Sequence, residues 1–311
     1  MKVGFIGLGG IGKPMAIHIA KSGFDLTVTD LREPPLKELE QHGARIAGNA
    51  REVAAESEIV LASLPSNEAS EQVPLGPDGV LAGAKSGDIY IELSTISPEV
   101  VHSIASQAAE KGVTVLDAPV SGDLKARQEG TLSIMVGGDA KALDRAMPVF
   151  KAFGDKVFHA GESGAGATVK LVNNLLAGIH VVATMEALVL GVKGGLSVQT
   201  LKEVISASSG GSPGFDILFD KITTRSPEPP PGQTANQGLH TLGKDVKLAV
   251  ELAQSLSVPL SLGSSALQPF LAGFANEWAD KEFWVIMEIF EQMSGVRVRP
   301  PDLTNSKEEK Q

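Results

Sequence analysis

Lys170 and Asn174 are the residues whose types and spacing point most directly to chemistry. They lie one turn apart in the run Gly164-Ala-Gly-Ala-Thr-Val-Lys-Leu-Val-Asn-Asn-Leu-Leu, which stays apolar on almost every side as far as Glu186. A helix of that composition is expected to be buried. A lysine inside it loses hydration, which lowers its pKa toward the range where it gives and takes protons. At i and i+4 the two polar tips share a face, so an acid/base lysine would stand beside a hydrogen-bonding amide. Taken alone, Lys170 is better read as a lysine whose stem packs while its ammonium snorkels to solvent. The rest of the chain decides between these readings, because a proton-transfer residue needs something to act on.

The amino-terminal segment supplies it. Val3 to Ile6 reads as a short strand, followed at once by Gly7-Leu8-Gly9-Gly10-Ile11-Gly12 and then by a helix from Pro14 to a glycine stop at Gly23. A second strand from Leu26 ends at Asp30. In such a unit Gly7 permits the tight turn, Gly9 lets backbone approach a pyrophosphate, and Gly12 lets the helix pack on the strand. The helix N-terminus offers free N–H groups to the phosphates. The pattern alone is weak; here it follows a strand, opens a helix and has an acid 18 residues past its last glycine. Asp30 is expected on the adenosine ribose hydroxyls, where its charge repels a 2′-phosphate and favours NAD over NADP. Arg32 either softens that preference or is a solvated surface charge.

Strand and helix signals then alternate. Strands are expected at Glu58 to Ser63, Asp88 to Leu93, Val113 to Leu116, Leu132 to Val136 and Val157 to Phe158, with a helix from about Ala140. Leu64-Pro65-Ser66-Asn67 and Ser94-Thr95 form turns at strand carboxyl ends, where open α/β sheets bind ligands. Ser97 reads as an N-cap and Pro98 as a first-turn residue. Asp117 to Gly122 reads as a loop closing its strand. This order specifies an α/β fold with a doubly wound, mostly parallel, Rossmann-like sheet over residues 1–162. From residue 163 to 302 strand signals stop and the chain reads as a second, all-helical domain. Its helices are expected at 164–193 (roughly 40 Å long), 197–206, 242–256, 264–275 and 282–293. The Pro227–Gly232 segment reads as an extended loop, and residues 303–311 as a disordered tail.

The totals narrow the function classes. A net charge of −10 argues against a nucleic-acid partner. The absence of cysteine removes disulfides, thiolate metal sites and cysteine nucleophiles, and fits the cytoplasm. The six histidines form no pair with metal-ligand spacing, so no metal is expected. The amino terminus lacks a small-residue cleavage site, and the apolar run after Lys170 is interrupted by Asn173, Asn174, His180 and Glu186. The reading is a soluble, unprocessed protein with no membrane partner. Its apolar central helix suggests a homodimer or homotetramer.

Four separated segments resemble the β-hydroxyacid dehydrogenase family, which includes 3-hydroxyisobutyrate dehydrogenases and tartronate semialdehyde reductases. They are Gly7-Leu-Gly-Gly-Ile-Gly-Lys-Pro-Met-Ala16; Asp117-Ala-Pro-Val-Ser-Gly122 continuing to Ala126 and Gly130-Thr-Leu132; Gly164-x-Gly166-x-x-x-Lys170-x-x-Asn173-Asn174; and Lys244-Asp245-Val-Lys-Leu-Ala249. The resemblance spans roughly residues 1 to 298. It implies an NAD- or NADP-dependent enzyme moving a hydride between nicotinamide and a small β-hydroxy acid or its semialdehyde. By the same resemblance Lys170 is the acid/base, and Asn174, with Asn173 beside it, holds substrate. Ser121 and Gly122 bind its carboxylate. Leu64, Pro65 and Thr95 contact the nicotinamide side, Lys244 lies against the cofactor, and the active site lies between the domains.

Two departures concern the substrate. Asp123 stands where the family usually has a second glycine; it would either contact a substrate hydroxyl or amine, or face away. Pro227–Gln237 lacks the usual Pro-Gly-Phe pattern. The competing readings are an NADPH-dependent imine reductase or a non-catalytic cofactor-binding scaffold, both of which typically lack the lysine. A 6-phosphogluconate dehydrogenase would need basic phosphate-binding residues that are not apparent.

Overall fold

The computed structural model describes residues 1–224 and 238–299. The Pro227–Gln237 segment and the tail expected from residue 303 lie outside them. The chain divides into two compact units, Met1–Val172 and a second beginning at Asn173.

The first unit runs β1 (Lys2–Ile6), α1 (Gly12–Lys21), β2 (Asp25–Thr29), α2 (Glu33–Gln41), β3 (Arg45–Ile46), α3 (Ala50–Ala55), β4 (Ile59–Ala62), α4 (Asn67–Leu75), α5 (Val80–Gly83), β5 (Ile89–Glu92), α6 (Pro98–Ala109), β6 (Thr114–Asp117), β7 (Val120–Ser121), α7 (Leu124–Glu129), β8 (Leu132–Gly137), α8 (Ala140–Phe150), β9 (Gly154–Gly161) and the start of α9 (Ala165–Lys193). The sheet order is β3-β2-β1-β4-β5-β6-β8-β7, with β9 beside β8. The strands from β3 across to β6 pair in parallel. β8 runs antiparallel to β6 and β7. Order reverses between β1 and β4, so the turn after β1 opens at the switch point where such sheets bind ligands. Alternate strand residues enter separate cores, as a sheet covered on both faces requires. Ile59, Leu61, Ile89 and Ile91 pack with Met15, Ile19 and Phe150. Val60, Ala62 and Tyr90 pack with Val53, Leu81 and Ile104.

The second unit continues α9 and adds α10 (Val198–Ser206), α11 (Pro213–Thr223), α12 (Leu239–Ser255), α13 (Ser261–Ala275), a 3-10 turn at Phe283–Ile286 and α14 (Met287–Ser294). Among the described residues it contains no strand. Met185, Leu188, Phe219, Val246 and Phe270 belong to its core.

Several elements differ from the expectation. The unit boundary falls inside α9 rather than at its start, because the first turns of α9 seat on the sheet: Ala167 and Leu171 are fully buried within the first unit. Val120–Ser121 is a short strand rather than loop, held against Ile134 and Ser133 of β8. The final helix is broken into the 3-10 turn and α14. The largest correction concerns α9. It is not buried on all sides, since Val172, Leu176 and Leu190 are 59%, 53% and 74% exposed. Its core-facing side packs, while the opposite apolar face is exposed among the described residues. By length and composition alone α9 would be able to cross a membrane, and 39% of its most apolar window is buried inside the protein.

Candidate active site

The glycine-rich turn is shaped as its sequence predicts. Gly7 has φ +87°, and a Cβ there would lie 2.3 Å from the Ser63 carbonyl oxygen. A Cβ on Gly12 would lie 2.0 Å from the Gly7 oxygen and 3.1 Å from the Phe5 ring, so any side chain would force α1 off β1. Gly9 and Gly10 differ: a Cβ on either meets nothing within 4 Å. Open space thus lies over the part of the loop that would face a pyrophosphate. Helix α1 begins with no side-chain cap and no acid in its first turn, which leaves the positive end of its dipole available to an anion, although the Lys13 N–H is taken by the Gly9 oxygen and Pro14 has none. The residues present therefore fit a dinucleotide.

Asp30 ties this loop to the end of β2. Its Oδ2 accepts the Leu8 N–H at 2.6 Å and Arg32 Nη2 at 3.2 Å; Oδ1 accepts Arg32 N at 2.8 Å and Arg32 Nε at 3.0 Å. Burial alone would raise this carboxyl, but the bonds from Arg32 and Leu8 outweigh it and hold it below the ordinary value. Both oxygens already have partners, so a ribose hydroxyl would have to displace part of the Arg32 fork.

The turns after β4 and β5 are stitched together. The N–H of half-buried Leu64 donates to Ser94 Oγ at 2.7 Å, and Ser97 N donates to Asn67 Oδ1 at 3.1 Å. Pro65 is exposed and Thr95 half-buried. Behind them is a residue that sequence reading missed. Fully buried Glu92 accepts from Ser94 N at 2.9 Å and Tyr90 OH at 2.8 Å, and burial raises its carboxyl. Its sequence signal was an acid inside an otherwise apolar strand.

Beyond β6, Ser121 at the end of β7 is half-buried and Gly122 exposed. A Cβ on Gly122 would lie 2.6 Å from Leu132 Cδ2 and 2.9 Å from Ala126 Cβ, which accounts for the small residues of this segment. Asp123 caps α7, its Oδ1 accepting the Ala126 N–H at 2.9 Å. Asp117, also missed, is 1% exposed. It accepts from Gly164 N at 2.8 Å and Ala167 N at 2.7 Å, at the start of α9. Lys170 follows within the same unit and is 8% exposed.

The second unit holds the remaining predicted residues. Asn173 Nδ2 donates to Asn174 Oδ1 at 2.9 Å, and Asn174 Nδ2 donates to Asp245 Oδ2 at 2.6 Å. Lys244 Nζ pairs with Asp245 Oδ1 at 2.9 Å. Asp245, itself 1% exposed, thus orients the Asn174 amide and joins two of the four signatures. No cluster of potential metal ligands occurs among the described residues.

Residues 2–161 match the family described as the NAD binding domain of 6-phosphogluconate dehydrogenase, and residues 164–289 that described as NAD-binding of NADP-dependent 3-hydroxyisobutyrate dehydrogenase. The chain is 39% identical to a 2-(hydroxymethyl)glutarate dehydrogenase of Eubacterium barkeri, over 96% of this chain and 97% of that one. It is 36% identical to an NAD-dependent L-serine dehydrogenase of Pseudomonas aeruginosa, over 94% and 99%. A solved structure of Mycobacterium tuberculosis 3-hydroxyisobutyrate dehydrogenase with L-serine superposes with a TM-score of 0.80 at 31% identity, covering 93% of this chain and 98% of that one. Imine reductase structures are more distant and share the fold alone, as one from Myxococcus stipitatus does at 17% identity and a TM-score of 0.63. A Rossmann-like domain with an open dinucleotide turn, joined to a helical domain, defines an NAD(P)-dependent oxidoreductase. The chain belongs to the β-hydroxyacid dehydrogenase family.

Proposed function

We propose that this dehydrogenase interconverts a small β-hydroxy acid and its semialdehyde, with Lys170 as general acid and base. The observation that carries the reading is Lys170 itself: a lysine only 8% exposed, on the helix whose first turn is bonded to the strand that leads into Ser121 and Gly122. When bound, the nicotinamide takes up or returns the hydride and leaves the hydroxyl proton to the protein. Lys170 Nζ, as the neutral amine, accepts that proton; as the ammonium it returns one to the carbonyl oxygen. Ser121 and the backbone around Gly122 donate to the substrate carboxylate. Asn174, oriented by Asp245 and flanked by Asn173, adds a neutral contact. Leu64, Pro65 and Thr95 flank the nicotinamide, and Lys244 lies against the cofactor. Asp30 favours NAD, and Arg32 leaves room for NADP.

The substrates named for the relatives share a carboxylate with a hydroxymethyl group on the neighbouring carbon, and that is the proposed substrate class. The apolar face of α9 that is exposed among the described residues supports a homodimer or homotetramer, and the cysteine-free chain a cytoplasmic location. Lys170 weighs against the imine reductase and scaffold readings.

Purified protein would be assayed with NAD and NADP against L-serine, glycerate, 3-hydroxyisobutyrate, 3-hydroxypropionate, threonate and 2-(hydroxymethyl)glutarate. At least one acid is expected to reduce the cofactor, and Lys170→Ala to lower kcat by about 1,000-fold or more. Failure of every acid, and of the matching semialdehydes in reverse, overturns the reaction. A Lys170→Ala enzyme that keeps most of its turnover overturns the acid/base assignment.

A further inference from the structure

Helix α9 has no local cap. The residue at its N-cap position is Gly164, at φ +86°, which has no side chain to offer. Other helices of the first unit, α3, α4, α6, α7 and α8, begin with a capping Asn, Ser or Asp of their own. The donor that a local cap would satisfy on α9, the Ala167 N–H, is taken instead by Asp117 Oδ2, and Asp117 Oδ1 takes the Gly164 N–H. The carboxylate also lies at the positive end of the helix dipole.

The seat beneath this clamp admits no side chain. A Cβ on Gly166 would lie 2.3 Å from the Met135 oxygen and 2.6 Å from the Asp117 oxygen. A Cβ on Gly137 would lie 2.5 Å from Asp117 Oδ1 and 2.8 Å from Gly166 N. Backbone therefore rests on backbone, which fixes the height and rotation of the first turn of α9. Gly166 and Ala167 stand four and three residues before Lys170, so the clamped turn lies directly under the lysine. Asp117 also ends β6, and the chain passes from it through Ala118 and Pro119 into β7, which carries Ser121.

We propose that Asp117 is a positioning residue for catalysis, a clamp that sets where Lys170 stands relative to the Ser121–Gly122 segment. The proposal rests on the acid/base reading of Lys170. Asp117 touches neither substrate nor cofactor; it acts through the first turn of α9. Both oxygens are needed, because each accepts a different backbone N–H.

The test is Asp117→Asn, which keeps the size of the side chain but turns an N–H donor toward one of those two N–H groups. Three quantities are read: kcat and KM with the panel acid of highest turnover, Kd for NAD by fluorescence titration, and amide hydrogen exchange of the peptide spanning residues 164–171. The variant is expected to lose about 10- to 100-fold in kcat, the loss that a displacement near 1 Å produces. Its KM should change less than kcat, its Kd for NAD should stay within about twofold, and exchange should rise at 164–171 while the rest of the first unit stays protected.

A kcat within about twofold of the parent overturns the proposal, as does a variant in which NAD affinity and protection fall throughout the first unit together with kcat. If Asp117→Asn does not fold, Asp117→Glu takes its place. It keeps both acceptors one methylene too far forward and is expected to lose kcat similarly; unchanged turnover overturns the clamp. Lys170→Ala, assayed alongside, separates the two readings. An active Lys170→Ala removes the acid/base reading and the clamp with it. An inactive Lys170→Ala beside a fully active Asp117→Asn removes the clamp alone.

Discussion

Two helices of the first unit begin after glycine-rich turns, and the protein treats their N-termini in opposite ways. At α1 the donors carry no side-chain cap, and the loop above them, at Gly9 and Gly10, faces open space. At α9 the equivalent donors are filled by Asp117, and Gly137 and Gly166 close the space completely. The same local chemistry, a positive helix end reached by close backbone packing, is left open for a ligand in one place and neutralised internally in the other. By the readings proposed above, the open end receives the phosphates of the cofactor and the closed one fixes the helix that carries Lys170.

The sharpest way to break this comparison is to close the open end. Gly9→Asp places a carboxylate over α1 where a Cβ meets no atom within 4 Å, so folding should be little affected. NAD affinity should fall by about 100-fold or more, as expected when an anion site is given a competing charge. Equilibrium titration beside a thermal melt measures both. Unchanged affinity would mean that the α1 terminus is not the phosphate site. Gly12→Ala is the steric counterpart, since its Cβ would be driven to 2.0 Å from the Gly7 oxygen. It should lower stability by about 1–3 kcal/mol, the usual cost of overpacking.

This asymmetry also marks what was legible in the sequence. The β1–Gly7–Gly12–α1–β2–Asp30 unit could be read because its parts follow one another directly in the chain, with Gly12 packed against Gly7 and Asp30 reaching back only to the Leu8 N–H. Ser97 and Pro98 announced α6 for the same reason. Asp117 could be quoted as part of a signature yet not understood, because its acceptors meet donors 47 and 50 residues away. Asp245 is 71 residues from the Asn174 that it orients. Helix α11 is not among the expected helices, although Ser212 and Pro213 form an ordinary start signal. β9 was expected to be shorter because most of its residues are exposed, so its apolar signal is confined to Val157 and Phe158.

A smaller effect is expected at Asp30, which joins the α1 loop to the end of β2 and is proposed to hold the ribose. Asp30→Ala removes four hydrogen bonds and the charge that would repel a 2′-phosphate. The ratio of kcat/KM for NAD to that for NADP should fall by about 10-fold or more. An unchanged ratio would remove Asp30 from the ribose. The same substitution carries a pH signature. The Asp30 carboxyl is held below its ordinary value, so the stability it contributes is present above that value and lost as pH falls through the lowered one. The gap in melting temperature between parent and variant should therefore narrow in acid. Arg32→Ala removes the two guanidinium bonds to Asp30, leaving the backbone N–H bonds of residue 32 and Leu8, and should move the cofactor ratio the other way, toward NAD, by about threefold, a change of under 1 kcal/mol.

The smallest effect tests a third helix start. α7 is closed by its own Asp123. That bond gives the carboxylate a structural duty as the N-cap of α7. Glycine at an N-cap costs only a few tenths of a kcal/mol against aspartate, so Asp123→Gly should leave the melt nearly unchanged. Removing a negative charge next to the Ser121–Gly122 segment should lower KM for a carboxylate substrate by about two- to threefold through weaker repulsion at an exposed position. The distinction lies in the size of that change. A fall of more than about 10-fold, or a rise for an amine-bearing acid such as L-serine alone, would place the Asp123 carboxylate against the substrate and make it a specificity residue rather than a cap.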